Sequence, residues 1–368
     1  MDSETRRSDV KRILQKATNL EHLGRAEILT LLRLTDKKDL QSLYDTACGL
    51  RDRYFYKKIF LYGFIYFSTW CRNSCTFCAY RSANGLAPRY RKSQAEIHAA
   101  VLGLLKSGVH LVDLTMGEDP FYRSGQGLAD LFKLVKQIKQ ETDGLPVMIS
   151  PGVISETTIQ DFAQAGADWY ACYQETYNQR LFAQLRLDQS FAERLLSKYQ
   201  AVRAGLLVEE GLLLGVGETQ EDIAAAIENM RALGARQVRV MSFVPQRGIP
   251  LENIPSPNRQ LELTVIAVLR LVFPDKLIPA SLDVDGIDGL AARLAAGANV
   301  VTSLIPPHAG LAGVAQHSKD IDDGYRTVAG VAEVLEAMEL KAATRAEYRE
   351  WLENQKRADP KNFIDGEW

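Results

Sequence analysis

Cysteine is scarce in this chain, five in 368 residues. So few, in a chain this long, exclude a disulfide scaffold. A surplus of either charge is missing as well. Forty-four Lys and Arg stand against 46 Asp and Glu, a net charge of −2. Nothing in that balance points to nucleic acid or an anionic membrane as a partner. Long apolar runs are absent too. The longest, IFLYGFIYFSTW at 59–70, falls far short of the roughly 20 residues that span a bilayer. The first residues, MDSETRRSDVKRILQK, lack the apolar centre of a signal peptide. No internal repeat and no low-complexity block is present. These absences predict a cytoplasmic protein in a reducing compartment, with no membrane and no nucleic acid to bind.

What cysteine there is lies together. Cys71, Cys75 and Cys78 fall in the run CRNSCTFCAY, a C-x3-C-x2-C spacing. Three thiolates this close can hold three corners of a cubane [4Fe-4S] cluster and leave the fourth iron without a protein ligand. An open iron can bind a substrate or cosubstrate, so the triplet points to chemistry at the cluster. A structural zinc site is the competing reading, and it wants a fourth Cys or His. The nearest His is His98, inside a helical run. A non-catalytic zinc or iron–sulfur protein therefore stands as the alternative from another class. Cys48, in a helical run, reads as a small buried apolar residue. Cys172 alternates with Ala171, Tyr173 and Glu175 and is expected to face away from them.

Hydrophobic residues make up 46% of the chain, enough for a large core. The first fifty residues read as helices, with Thr35 or Asp36 as the candidate N-cap. From residue 60, short β-rich runs alternate with amphipathic helical stretches. Eight candidate strands lie at 62–68, 111–117, 146–151, 169–176, 211–217, 238–244, 277–284 and 299–307. Eight strand–helix alternations predict an α/β fold, a (βα)8 TIM-type barrel of parallel strands. An open doubly wound sheet is the alternative. The expected division is an N-terminal helical extension (1–55), the barrel (56–337) and a polar C-terminal appendage (338–368).

The cysteine triplet follows the first strand, so it sits at the C-terminal face of such a barrel, where active sites lie. The strands carry polar groups that parity turns inward. They are Asp113 on the second strand, Ser150 on the third, Glu175 on the fourth, Arg239 on the sixth, and Ser281 and Asp283 on the seventh. Buried charges are costly unless paired. One reading is a structural network with Arg239 bridging the two aspartates. The other is a pocket for a small polar substrate. There Arg239 would take a carboxylate bidentately, and Asp113 and Asp283 would take ammonium groups, with Ser281 adding a hydrogen bond. One cation and two anions suit an amino acid with a second amine.

The cysteine loop, with Phe77 just before its last Cys, resembles the radical S-adenosylmethionine (SAM) superfamily. That resemblance implies a [4Fe-4S] cluster whose open iron chelates SAM. TMGEDP (115–120) resembles the family's element that holds the methionine amine, with Met116 where a first glycine is usual, so Gly117 and Glu118 are carried over. Glu175 matches a ribose-binding position, and Arg186 a carboxylate-pairing one; a solvated helix-end Arg is its bland alternative. Ser150 joins the expected SAM contacts. GVGET (215–219) is weak as a phosphate loop and reads as a turn and helix cap. Several stretches in order resemble the methylornithine synthases of pyrrolysine biosynthesis. Among them are FIYFSTWCRNSCTFCAY, VDLTMGEDPFY, LRLDQSF and VRVMSFVPQRGIPLE, and the likeness runs from about residue 40 to 315. The resemblance implies isomerisation of L-lysine to 3-methylornithine, through hydrogen abstraction and fragmentation of the carbon skeleton. It also implies Asp113, Arg239, Ser281 and Asp283 as substrate contacts, and an electron donor such as flavodoxin or ferredoxin. An iron-hydrogenase maturase is the runner-up. Biotin synthase fits poorly, since it needs further barrel cysteines.

Overall fold

Three helices, Ser3–Thr18, Arg25–Leu32 and Lys37–Phe55, precede the first strand. Of the two candidate caps, Asp36 starts the third helix: its carboxylate accepts from the Lys38 and Asp39 amides at 3.0 and 3.2 Å. This computed structural model describes residues 3–306 and 326–357. Pro307, the end of the eighth expected strand run, and residues 358–368 lie outside them.

Eight strands then follow: β1 (Lys58–Ser68), β2 (Leu111–Met116), β3 (Val147–Ser150), β4 (Trp169–Ala171), β5 (Leu207–Leu214), β6 (Gln237–Ser242), β7 (Pro279–Ser281) and β8 (Val300–Leu304). Helices separate them. The connection from β1 to β2 shows how the sequence punctuates each one. Ser93 and Glu96 form a capping box at the start of the helix Gln94–Ser107, and Gly108, at φ 101°, ends it.

The strands pair in parallel in the order β6-β5-β4-β3-β2-β1-β8-β7. The ring closes between β6 and β7, where Gln237 bridges Leu277 and the Val238 N–H donates to the Leu277 carbonyl at 3.0 Å. Closure excludes the open sheet and gives the expected (βα)8 barrel. Residues alternate between two faces along the regular parts of the strands. Phe60, Tyr62, Phe64, Tyr66, Met148, Trp169, Leu207 and Leu277 fill the inside. Ile59, Leu61, Val112, Val147, Tyr170 and Val208 pack under the helices. Among the described residues, no helix is long and apolar enough to cross a membrane.

The tail corrects its expected place as an appendage. A ninth short strand, β9 (Lys341–Ala342), pairs with the start of β1, and the helix Arg345–Arg357 seals the floor of the barrel. Tyr348 is fully buried there. Its hydroxyl meets that of Tyr62 at 2.6 Å and accepts from Trp169 Nε1 at 3.2 Å. Trp351 stacks on Trp169 with ring centroids 6.0 Å apart. His110 ties this floor to β1: Nδ1 accepts the Leu61 N–H, and Nε2 meets the Ala343 carbonyl, each at 2.8 Å. The helix is polar on most of its surface and buries only Tyr348 and Leu352. With one end sealed, the cavity opens at the strands' C-terminal ends.

Candidate active site

A cavity of about 1320 Å³, its open mouth included, lies at that end. Twelve of the thirteen site residues expected from sequence line it: Cys71, Cys75, Phe77, Cys78, Asp113, Gly117, Glu118, Ser150, Glu175, Arg186, Arg239 and Asp283. Ser281 does not. It is buried beneath Asp283, and its hydroxyl accepts the Asp283 N–H at 3.3 Å.

The cysteine loop follows β1 and is held by one half-buried cation. Arg89 donates to the carbonyls of Thr69, Tyr80, Arg81 and Asn84. Asn84 braces the loop from the other side, donating to the Ala79 and Arg247 carbonyls at 3.0 Å each. A Cβ on Gly117 would lie 2.3 Å from the Trp70 carbonyl oxygen, so only glycine lets the end of β2 lie against this loop. The Cys75 sulfur accepts from Gln189 Nε2 at 3.0 Å and from Arg186 Nη1 at 3.6 Å. Burial pushes the Cys71 and Cys78 thiols up, and for Cys78 the neighbouring sulfurs add to it. All three are free thiols. Among the described residues no three ligand groups converge on a single ion. A cubane takes one thiolate per iron and needs no such convergence.

Beside the loop, Glu118 accepts the Val153 N–H at 3.2 Å. It pairs with Arg72 at 3.2 Å, Arg194 at 3.3 Å and Arg123 at 3.6 Å. Burial works to raise its pKa, but Arg194, the amide and the other two arginines outweigh it and hold the carboxyl low. Gly152, at φ +73°, gives Glu118 its space, because a Cβ there would lie 2.2 Å from the Glu118 Cγ. Glu175 sits beyond β4 in the left-handed region, at φ 67°, a conformation costly for a residue with a side chain. It pairs with Arg186 at 2.8 Å. Burial raises its pKa, against the pull of Arg186 and Arg194. Arg186 is buried, not solvated. It lies over the Phe77 ring at 5.2 Å and donates to the Tyr173 carbonyl at 3.0 Å.

Deeper in the barrel, the bridge from Arg239 to the two aspartates, the structural alternative, does not form. Arg239 Nε donates instead to Glu209 at 2.6 Å, and Tyr173 Oη donates to the other Glu209 oxygen at 2.8 Å. Sequence reading missed Glu209 because β5 starts at Leu207 rather than at 211. Glu209 points in, and Glu210 points out to buried Lys198 and Tyr177. The Arg239 guanidinium lies between the Phe64 and Tyr173 rings, at 5.8 and 5.7 Å. Its Nη2 is buried and has no hydrogen-bond partner.

Asp283 accepts from Tyr66 Oη at 3.0 Å and Ser303 Oγ at 2.6 Å, and it pairs with Arg326. Arg326 was also missed, since nothing in its local sequence marks it. Asp113 accepts from Ser150 Oγ at 2.8 Å. Burial, and then the charge of Glu209, push its carboxyl up to about 7. Cys172 packs with the helix-facing core as parity expected, although its surface also reaches the cavity wall.

The Radical SAM superfamily model matches residues 65–230, from β1 past the cysteine loop to the helix after β5. The chain is 44% identical to the 3-methylornithine synthase of Methanosarcina barkeri over 322 residues, 88% of this chain and 91% of that one. It is 42% identical to the 3-methylornithine synthase of Methanosarcina acetivorans, over 92% and 96% of the two chains. The chain belongs to the 3-methylornithine synthase family of radical SAM enzymes. The structure agrees with that membership. A crystal structure of methylornithine synthase (PylB) superposes with a TM-score of 0.87 at 42% identity, covering 92% of this chain and 99% of that one.

Proposed function

We propose that this chain isomerises L-lysine to 3-methylornithine for pyrrolysine biosynthesis, with a [4Fe-4S] cluster on Cys71, Cys75 and Cys78 and SAM beside it. The residues present fit both groups. The three free thiols share one cavity wall, and Gln189 and Arg186 already donate to the Cys75 sulfur, as anionic thiolates require. One cavity lining runs from the cysteines to Arg239 and Asp283, which supports a SAM site adjoining a second small-molecule site. When bound, the cluster and SAM supply a 5′-deoxyadenosyl radical that takes a hydrogen atom from the substrate. The protein binds, orients and excludes water. Phe77, Gly117, Glu118, Ser150, Glu175 and Arg186 are assigned to SAM. An electron donor such as flavodoxin or ferredoxin is the implied protein partner.

One observation carries the lysine reading. The buried Nη2 of Arg239 has no partner, in the same cavity as Asp113, Asp283 and the three cysteines. A free guanidinium donor is suited to a carboxylate. Asp113, without an ion-pair partner among the described residues, is suited to one ammonium group, and Asp283, oriented by Ser281 from below and already paired with Arg326, is assigned to the second as a hydrogen-bond acceptor.

The two residue sets should fail differently. Cys71→Ala, Cys75→Ala or Cys78→Ala should lose bound iron and SAM cleavage together. Arg239→Ala should keep iron and SAM binding and lose lysine affinity. Because it leaves Glu209 buried and unpaired, a stability loss of about 3–5 kcal/mol is expected, and a thermal melt must accompany it. SAM cleavage by a cysteine variant, or unchanged lysine affinity in folded Arg239→Ala, would overturn the assignment.

A further inference from the structure

We infer that Glu209 is a positioning residue that aims Arg239 and sets the net charge of the pocket, so that the pocket selects an amino acid with one carboxylate and two ammonium groups. The inference rests on the lysine reading and deepens it. Glu209 is fully buried and does not line the cavity, so it acts through its neighbour. It fixes Arg239 through Nε at 2.6 Å. Tyr173 Oη, donating at 2.8 Å, occupies the other Glu209 oxygen. With the guanidinium held edge-on by Glu209 and flanked by the Phe64 and Tyr173 rings, the partnerless Nη2 is left for a ligand.

The charges then cancel in pairs. Glu209 neutralises Arg239, and Arg326 neutralises Asp283. Asp113 remains. No ion pair reaches it among the described residues; Ser150 donates to it at 2.8 Å. The charged and titratable groups that act on it are Glu209 from β5, Arg239 from β6 and Tyr173 beyond β4. Burial and Glu209 favour its protonated form. A pocket with one unpaired carboxylate is matched by a ligand of net charge +1. Lysine, with one carboxylate and two ammonium groups, is such a ligand, and norleucine, without the side-chain amine, is not. Binding the cation would ionise Asp113, so lysine should release part of one proton near neutral pH.

The test compares reconstituted holoenzyme with its Glu209→Gln variant. Lysine KM and kcat are measured from pH 6 to 9, with lysine-free SAM cleavage as the control. The variant should raise lysine KM about tenfold or more, lower kcat less, and keep lysine-free SAM cleavage. The pH midpoint of lysine binding should move down, because an anion beside Asp113 is gone. A purely structural role would leave that midpoint in place. Wild-type KM and midpoint in the variant would overturn the inference. Should Glu209→Gln fail to fold, calorimetry on the wild-type holoenzyme with SAM, in buffers of different ionisation enthalpy, decides. Proton release with lysine, and at least tenfold weaker binding of norleucine, support the inference; proton uptake, no proton exchange from pH 6 to 8, or equal norleucine binding overturns it. Failure of the lysine reading looks different: wild type would neither bind nor convert lysine at any pH.

Discussion

A single methyl group at Gly117 would collide with the Trp70 carbonyl, which belongs to the backbone just before Cys71. Backbone cannot swing aside as a side chain can. Gly117→Ala should therefore displace the cysteine loop, and most iron should be lost on reconstitution while the far-ultraviolet circular dichroism stays native. Full iron content would show that the loop tolerates the shift. Asp113 gives a second test at this scale. Its carboxyl is raised from the ordinary 3.8 to about 7, by burial first and Glu209 second. A raised carboxyl favours the fold while protonated, so its contribution is whole below pH ~4 and lost as pH climbs through 7. Asp113→Asn should accordingly make the ligand-free protein more stable at pH 8, by roughly 2–4 kcal/mol at about 1.4 kcal/mol per pH unit, and less able to bind lysine. A denaturant melt showing equal or lower stability at pH 8 would refute it. Parity along the strands was enough to turn Asp113, Arg239 and Asp283 inward. It was not enough to pair them, because pairing depends on residues from other strands. Glu209 and Arg326, the counter-charges, are far from their partners in sequence.

Elements were legible where a period ran long enough. All eight strands lie where alternation placed them, but their ends moved. β5 reaches back to Leu207 across two buried glutamates, each paid for by a cation elsewhere, Arg239 inside and Lys198 outside. A sequence shows the cost of a buried charge and hides its partner. The helix Arg345–Arg357 misled for the opposite reason: its buried Tyr348 and Leu352 are outnumbered by exposed charges. His110 latches this floor to β1 with two hydrogen bonds. Accepting the Leu61 N–H at Nδ1 requires a neutral ring, and burial, the largest cause, lowers its pKa. A lowered imidazole value means that stability is whole above pH ~6.5 and falls as pH drops below it. His110→Ala should flatten that acid limb and orphan the two backbone groups, at about 1–3 kcal/mol for each left without a partner. Lysine KM should not move, because His110 lies at the opposite end from the cavity. A changed KM at unchanged stability would contradict a purely structural floor.

At the scale of the whole molecule, the barrel separates duties by end. Its floor is closed by the tail helix with aromatic packing and one histidine latch. Its open end gathers the three cysteines, the Glu118 and Glu175 ion pairs, and the deeper Arg239 pocket in one cavity. The cysteine spacing made the type of chemistry legible, and the inward charges suggested a diamino acid. Lysine itself came from family likeness, since two ammonium groups and a carboxylate fit more than one amino acid. The direct test is anaerobic incubation of the reconstituted protein with reductant, SAM and L-lysine, followed by mass spectrometry. The account predicts an isomer of lysine with the mobility of 3-methylornithine, formed together with 5′-deoxyadenosine and lost in Cys75→Ala. Deoxyadenosine without any lysine isomer would contradict it.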